Sequence, residues 1–531
     1  MSKQPNFLIF ITDQHRADHL GCYGNPIVRT PHIDQLAQSG SRFERAYVAN
    51  PVCMPNRGSI MTGRMPSVHG GRSNGVPLPL ESVTFADLLS EFGYRTALIG
   101  KSHLQNMEDK PPLLAPVVQP PDTEKSQHYS EARRDIFPDV SYEQELRSRW
   151  ENPAHALTLP YYGFQDVILC NHHADECFGD WLRWLKAEHP QLVEQLGREH
   201  GDHDPRYQAP QAWKTKLDEF TYPTHFIADQ TRQWIRQHVA TKPDQPFAVM
   251  CSFPDPHHPW TPPGRYWDMY QPEDIPVPST MKDGAQPAPH VRWLWDERRQ
   301  GQAKLDGPRL FAASVREVQE MIALTYGMIT NIDDRIGMVM NTLKDCGADE
   351  NTVVIFTSDH GDLMGDHGIV LKGPLHYQGL VRVPLIWRDP VAQGSSVRQD
   401  LVSSMDLSAA IIHRAGIAPP NGMQGKPLFA NDGSDLASGR DAVLIEENQQ
   451  RAYLGFKHPV KVRTLVSSRH RMSVFAEGEW GELYDLVADP QETINLWNDP
   501  QTQALKCDLM QRLLQLLIEH SDTSPNPKRI A

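Results

Sequence analysis

Three short segments carry residue types that could do chemistry together. Asp13-Gln14 closes the apolar run 7–11 near the N-terminus. Cys53 and Arg57 stand in Cys53-Met54-Pro55-Asn56-Arg57, and Asp359-His360-Gly361-Asp362 closes a second apolar run at 352–357. Asp13, Gln14 and Asp359 offer hard oxygen donors of the kind Ca²⁺, Mg²⁺ and Mn²⁺ take, and the imidazole of His360 tilts the set slightly toward Mn²⁺. Each also has a bland reading. An unpaired cysteine is most often a small buried hydrophobe, a single arginine an ion-paired surface residue, and an Asp-His pair the polar end of a strand.

The elements that must position these residues are legible from periodicity. Continuous apolar runs at 7–11, 95–100, 247–253 and 352–357 read as parallel strands buried on both faces. Helical patterns lie at 31–39, with Thr30 as N-cap and Pro31 in the first turn, at 83–92 and at 315–343. Strands alternating with helices imply an α/β sheet whose ligands sit beyond the strand C-terminal ends, where Asp13, Asp359 and His360 fall. Residues 105–240 interrupt the alternation with Pro111-Pro112, Pro120-Pro121, many charges and several Trp. They read as an insertion shaping the pocket, and 263–309 as a further lid-like excursion. After Pro419-Pro420-Asn421-Gly422 short alternating segments at 442–445 and 460–466 suggest a small antiparallel sheet, followed by a terminal helix at 503–518. The expected division is a catalytic domain at 1–425 and a C-terminal subdomain at 426–531.

Composition narrows the function classes. A chain of 531 residues exceeds one ordinary core and fits a large domain with an appendage. Its net charge of −14 argues against a nucleic-acid partner, since phosphate backbones are bound by basic surfaces. An anionic substrate stays open, because a metal and a few Lys and Arg can make one pocket positive. The seven cysteines are odd in number and scattered, so no disulfide framework is implied; Cys170 and Cys177, beside His172 and His173, match no usual zinc-finger spacing. The N-terminal apolar run is too short for a signal segment, and no stretch reaches membrane-span length, which leads us to expect a cytoplasmic protein without a membrane partner.

Taken together, Cys53-x-Pro55-x-Arg57, Asp13-Gln14 and Thr357-Ser358-Asp359-His360-Gly361-Asp362 resemble the type I sulfatases of the alkaline phosphatase superfamily. The segment from Glu482-Leu483-Tyr484-Asp485 to Asn495-Leu496 resembles that family's C-terminal signature. The resemblance implies a large mixed, mostly parallel sheet flanked by helices, plus a small α+β subdomain with an antiparallel sheet. It implies that Cys53 is oxidised to formylglycine (3-oxoalanine) by a separate maturation enzyme and that its hydrate is the nucleophile. It further implies one divalent metal on Asp13, Gln14, Cys53, Asp359 and His360, with Ca²⁺ first and Mn²⁺ or Mg²⁺ as alternatives. Gln14 in place of the commoner Asp, and His360 in place of Asn, look like the choline-sulfatase and phosphonate monoester hydrolase branches.

By the same resemblance Arg57 holds the nucleophile and neutralises sulfate. Lys101 and His103, in Gly100-Lys101-Ser102-His103-Leu104, bind sulfate and orient the nucleophile. His257, in Pro254-Asp255-Pro256-His257-His258-Pro259, is the leaving-group acid, with His258 an outer neighbour. Lys372 is the second sulfate-binding lysine, and Asn74, in His69-Gly70-Gly71-Arg72-Ser73-Asn74, a further substrate-binding residue.

The leading expectation is hydrolysis of a sulfate monoester, a small ester or a sulfated saccharide. A phosphonate monoester or phosphodiester hydrolase with the same nucleophile is the second reading, and a non-catalytic metal- and anion-binding homologue with unmodified Cys53 the third. Trp150, Trp181, Trp184 and Trp213, with His172 and His173, are the aromatics that could stack on a sugar or aryl group, although such Trp residues more often pack helices. The C-terminal tail could be disordered or reach across a dimer, so a homo-oligomer is open.

Overall fold

The structure is a computed structural model, and it describes residues 4–111, 139–281, 288–392, 394–430, 434, 436, 439–452 and 454–530. Pro120-Pro121 and most of the 105–140 stretch therefore lie outside the described residues. In chain order the strands are β1 (Asn6–Thr12), β2 (Ser41–Tyr47), β3 (Arg95–Gly100), β4 (Asp166–Asn171), β5 (Phe178–Gly179), β6 (Phe247–Ser252), β7 (Phe311–Ala312) and β8 (Thr352–Ser358). They continue with β9 (Ile369–Val370), β10 (Leu385–Arg388), β11 (Ser396–Ser403), β12 (Ala442–Asn448), β13 (Lys461–Ser467), β14 (His470–Phe475) and β15 (Glu482–Asp485).

The main sheet runs β11-β2-β10-β8-β1-β6-β3-β4-β5. At its centre β1 pairs in parallel with β6 on one side and β8 on the other, so that Ile9 lies opposite both Met250 and Ile355. All three strands are buried along their length, which is why they read as unbroken apolar runs. Each buried Phe, Ile or Val there contributes about 1.5–3 kcal/mol of transfer free energy. β10 runs antiparallel to both β8 and β2, making the sheet mixed but mostly parallel. β12 to β15 form a separate antiparallel sheet.

The helices that matter for the site are α1 (Pro31–Gln38), α2 (Cys53–Thr62), α3 (Phe85–Glu91), α4 (Pro223–Thr241), α5 (Val315–Asp345) and α6 (Gln503–Glu519). Two begin with reciprocal capping boxes, Thr84 with Asp87 for α3 and Ser314 with Glu317 for α5. α6 buries Leu513 and Leu516 in a cluster with Met472 and Leu483 of the small sheet.

Two expectations need correction. Thr30 does not cap α1 with its side chain; its hydroxyl donates to Asp34 and accepts the amide of Gly21. The carboxylate of Asp333, 300 residues away on α5, takes the amides of Ile33 (2.8 Å) and His32 (3.1 Å) instead. A distant acceptor supplied by packing replaces the local one, which sequence order alone does not reveal. Segment 105–240, in turn, is more than a covering insertion: β4 pairs in parallel with β3 inside the main sheet, and α4 packs along α5. β4 is as long as β3, but the Pro, Trp and charge density of the surrounding segment masked it. Trp181 and Trp213 are buried and bond to Thr221 and Asp175, so they pack the fold; Trp150 is buried as well.

Candidate active site

Four loops leave the C-terminal ends of β1, β3, β6 and β8, and backbone bonds stitch them together just beyond the sheet. The Asp359 amide donates to Thr12 O (3.1 Å), that of Asp13 to Asp255 O (3.2 Å), that of His15 to His360 O (2.8 Å) and that of Lys101 to Ser252 O (2.9 Å). At the end of β3, Gly100 takes φ +112°, and a Cβ there would lie 1.9 Å from Ser252 O. Only glycine lets the two strands close this tightly before Lys101.

The ligand-type atoms of Asp13, Cys53, Asp359 and His360 all lie within 4.8 Å of one another, and every one of these residues is buried. Cys53 is the first residue of α2, whose N-cap Val52 offers no side-chain acceptor, so the sulfur sits at the positive end of a helix. Asn74 accepts the Met54 amide at 3.1 Å and thus braces the start of α2 beside the cysteine. Arg57, one turn on, donates from Nε to Asp359 (2.8 Å) and from Nη1 to Ser252 Oγ (3.0 Å) and Lys101 O (3.1 Å). Its Nη2 is buried without a hydrogen-bond partner and lies 3.9 Å from Asp13.

Lys372 reaches Cys53 Sγ (3.0 Å), Gln14 Oε1 (3.1 Å), His257 Nε2 (2.8 Å) and His360 Nε2 (3.1 Å). An ammonium has three protons for these four partners, so the charge is shared among them. Lys101 is paired with Asp13 and lies 2.6 Å from His173 Nε2. Gln14 Nε2 donates to Asp362 and to His258 Nδ1 (3.0 Å), leaving Oε1 toward the lysine.

Burial and the lysine charges oppose each other at Asp13 and Cys53 and act together at the imidazoles. Desolvation alone would raise Asp13, but Lys101, then His257, His173 and Lys372, hold it well below the usual carboxylate range. For Cys53, burial and Asp13 push the thiol up, while Lys372 and His360 outweigh them and lower it. His103, His173, His257 and His258 are all held well below the ordinary imidazole value, chiefly by burial and then by the cationic neighbours.

The residues expected from the sequence separate into two groups. Asp13, Gln14, Cys53, Arg57, Lys101, His257, Asp359, His360 and Lys372 form one connected cluster. No hydrogen bond among the described residues joins His103 to Cys53; its Nδ1 is buried without a partner, and its backbone stands at φ +56°. His258 is a direct neighbour of Gln14, closer in than its expected outer place. His173, expected only as an aromatic that could stack on substrate, instead stacks its ring on His257 at 3.6 Å and 9°, and His257 stacks in turn on His258 at 4.0 Å. Reading 166–171 as a strand would have placed His173 beyond a strand end, by the logic that located Asp13. His172 turns away and pairs with Glu108.

Against known protein families, residues 5–417 match the family model described as Sulfatase. The chain belongs to the sulfatase family. A second family model, N-sulphoglucosamine sulphohydrolase C-terminal, matches 365–519, from just before Lys372 to the end of α6. Among curated members of the sulfatase family, an arylsulfatase of Clostridium perfringens is 26% identical over 96% of this chain and 94% of its own length. An N-acetylglucosamine-6-O-sulfatase of Bacteroides thetaiotaomicron is 24% identical over 99% and 88%. Among solved structures, the phosphonate monoester hydrolase of Agrobacterium radiobacter superposes with a TM-score of 0.76 at 25% identity, covering 98% of this chain and 97% of that one. The mixed sheet with its C-terminal antiparallel appendage is thus the alkaline phosphatase-like fold of this sulfatase.

Proposed function

We propose that this sulfatase cleaves the S–O bond of a sulfate monoester with a formylglycine derived from Cys53 as nucleophile. The observation that carries the reading is the convergence of Asp13, Cys53, Asp359 and His360 within 4.8 Å, with Arg57 and Lys372 in direct contact with the same cluster. The Sγ of Cys53 marks the place of the oxygen that the modified residue would carry. The donor set fits a divalent cation, because Gln14 Oε1, Cys53 Sγ and His360 Nε2 already converge on the positive charge of Lys372. Three of the expected ligands, Asp13, Asp359 and Gln14, give oxygen, which supports Ca²⁺, with Mn²⁺ or Mg²⁺ as alternatives. A cation bound there supplies Lewis-acid stabilisation of charge on the sulfuryl group.

In this reading Arg57, Lys101 and Lys372 neutralise the sulfate oxygens. His257 accepts a hydrogen bond from Lys372 at Nε2 and donates from Nδ1 to His258 O, so the proton for the leaving alkoxide comes from the Lys372 ammonium and passes through Nε2, leaving the lysine neutral. Asn74 acts by holding the start of α2, and His103 and Lys101 line the sulfate side. The substrate class we favour is a small sulfate ester or sulfated saccharide, supported by relatives whose names specify aryl and amino-sugar sulfates. We place the protein in the cytoplasm, matured by a formylglycine-generating enzyme, with 1–425 as the catalytic domain. No helix is long and apolar enough to cross a membrane among the described residues.

The second reading is a phosphonate monoester or phosphodiester hydrolase. The Gln14 and His360 positions and the superposition on such a hydrolase favour it. Parallel kcat/KM measurements on 4-nitrophenyl sulfate, choline sulfate, sulfated monosaccharides and phenylphosphonate esters decide between the two; a large preference for the phosphonate overturns the first. Peptide mass spectrometry tests the third reading, a non-catalytic homologue, because conversion of Cys53 to formylglycine lowers the residue mass.

A further inference from the structure

Glu145 is completely buried, yet none of the six groups that bond its carboxylate is a cation. Four come from consecutive residues: Ser102 Oγ (2.8 Å) and the amides of His103 (2.9 Å), Leu104 (3.2 Å) and Gln105 (3.2 Å). The others are the Tyr161 hydroxyl (2.6 Å) and Asn171 Nδ2 (2.7 Å). Loop 102–105 therefore wraps around the carboxylate as a nest of N–H groups wraps an anion. Asn171 closes the arrangement from the other side, because its Oδ1 accepts the Ser102 amide at 2.9 Å.

The two ends of this clamp carry site residues. Lys101 immediately precedes the wrapped loop and His103 lies within it. Asn171 ends β4, and two residues on His173 stacks on His257 and touches Lys101. Without the carboxylate, three successive amides would be buried with no acceptor, and nothing else among the described residues bonds them to the β4 end.

We propose that Glu145 is a positioning residue for sulfate-ester turnover: it fixes loop 101–105 onto the 171–173 turn and so holds Lys101, His103 and His173 in register with Cys53. The inference rests on the reading above, in which Lys101 and His103 serve that reaction. Glu145→Gln keeps the volume but presents an NH₂ to N–H and O–H donors, and a displacement of the loop by about 1 Å is expected to lower kcat/KM roughly 100-fold.

The test is a double-mutant cycle on 4-nitrophenyl sulfate with Glu145→Gln and Lys101→Ala, alongside amide hydrogen exchange of the matured full-length protein. The expected result is that Glu145→Gln shows the same split between kcat and KM as Lys101→Ala, costs less than about 3-fold more in the Lys101→Ala background, and accelerates exchange at 103–105. An equal fold-loss in both backgrounds, or unchanged exchange at 103–105, overturns the proposal. If Glu145→Gln fails to fold, Tyr161→Phe removes one donor only and must show the same non-additivity at smaller scale; additivity there overturns it. A wild-type protein inert on every sulfate ester sinks the functional reading instead, and exchange at 103–105 still judges the clamp.

Discussion

The Nζ of Lys372 lies 3.0 Å from the Sγ of Cys53, although the two residues are 319 positions apart. The same ammonium touches Gln14, His257 and His360 within 3.1 Å, so one charge is shared by nucleophile, expected metal ligands and expected acid. Removing it therefore acts on several parts of the site together. Lys372→Ala is expected to lower kcat/KM by roughly 100- to 1,000-fold, the range for losing one preorganised charge at a developing anion. Steady-state kinetics on 4-nitrophenyl sulfate check it, and a loss below about 10-fold would contradict the role.

Cys53→Ala should abolish turnover, because a methyl group leaves nothing to convert to formylglycine, and Cys53→Ser should do nearly the same. Cys53 contributes a single small buried sulfur, so the thermal midpoint should move by only a few degrees. Calorimetry with mass spectrometry of the peptide around residue 53 separates loss of the nucleophile from loss of the fold.

Chelation by EDTA should remove activity and lower Tm, and adding back Ca²⁺, Mn²⁺ or Mg²⁺ one at a time identifies the cation. At about 100 times its Kd the ion should restore roughly 2.7 kcal/mol of stability. Asp359→Asn should eliminate that metal-dependent rise in Tm, and it also weakens the hold on Arg57, which Asp359 bonds at 2.8 Å.

Gly100→Ala should be among the most disruptive small substitutions in the chain. The new Cβ would meet a backbone oxygen at 1.9 Å in a left-handed backbone, where no rotamer change relieves the overlap. We expect a loss of at least about 3 kcal/mol, read as a fall in the urea midpoint, or no soluble protein.

His69 packs against α2, accepting the Gly71 amide at Nδ1 (3.1 Å) and facing Pro55 O (3.2 Å) and Ser59 Oγ (3.2 Å) with Nε2. Burial lowers its pKa from 6.5 to about 3. A depressed imidazole binds fewer protons folded than unfolded, so its contribution is complete above pH 6.5 and is lost as pH falls toward 3, at up to about 1.4 kcal/mol per pH unit. His69→Gln should flatten the acid limb of a stability-against-pH curve by about that slope.

Much of the site was legible in the sequence. Buried parallel strands announce themselves as unbroken apolar runs, and a polar residue just past such a run marks the ligand end of the sheet. That logic located Asp13 and Asp359; Cys53 and Arg57 came from the resemblance of Cys-x-Pro-x-Arg to the sulfatase motif, while the helix that sets them one turn apart went unread. That logic failed where the strand lies among Pro, Trp and charged residues: β4, as long as β3, went unread, and with it the place of His173 against His257 and the loop that Glu145 organises. It failed again at α1, where Asp333 supplies the cap from 300 residues away.

The sequence by itself determined which residues could bind a cation and an anion, because donor type and strand-end placement are local properties. Only the tertiary structure decided which of them meet. The sharing of Lys372, the three-imidazole stack of His173, His257 and His258, and the wrapping of 102–105 around Glu145 join segments far apart in the chain. Such contacts depend on how loops close over the sheet, and one buried carboxylate or one glycine sets that closure without leaving a periodic trace in the sequence.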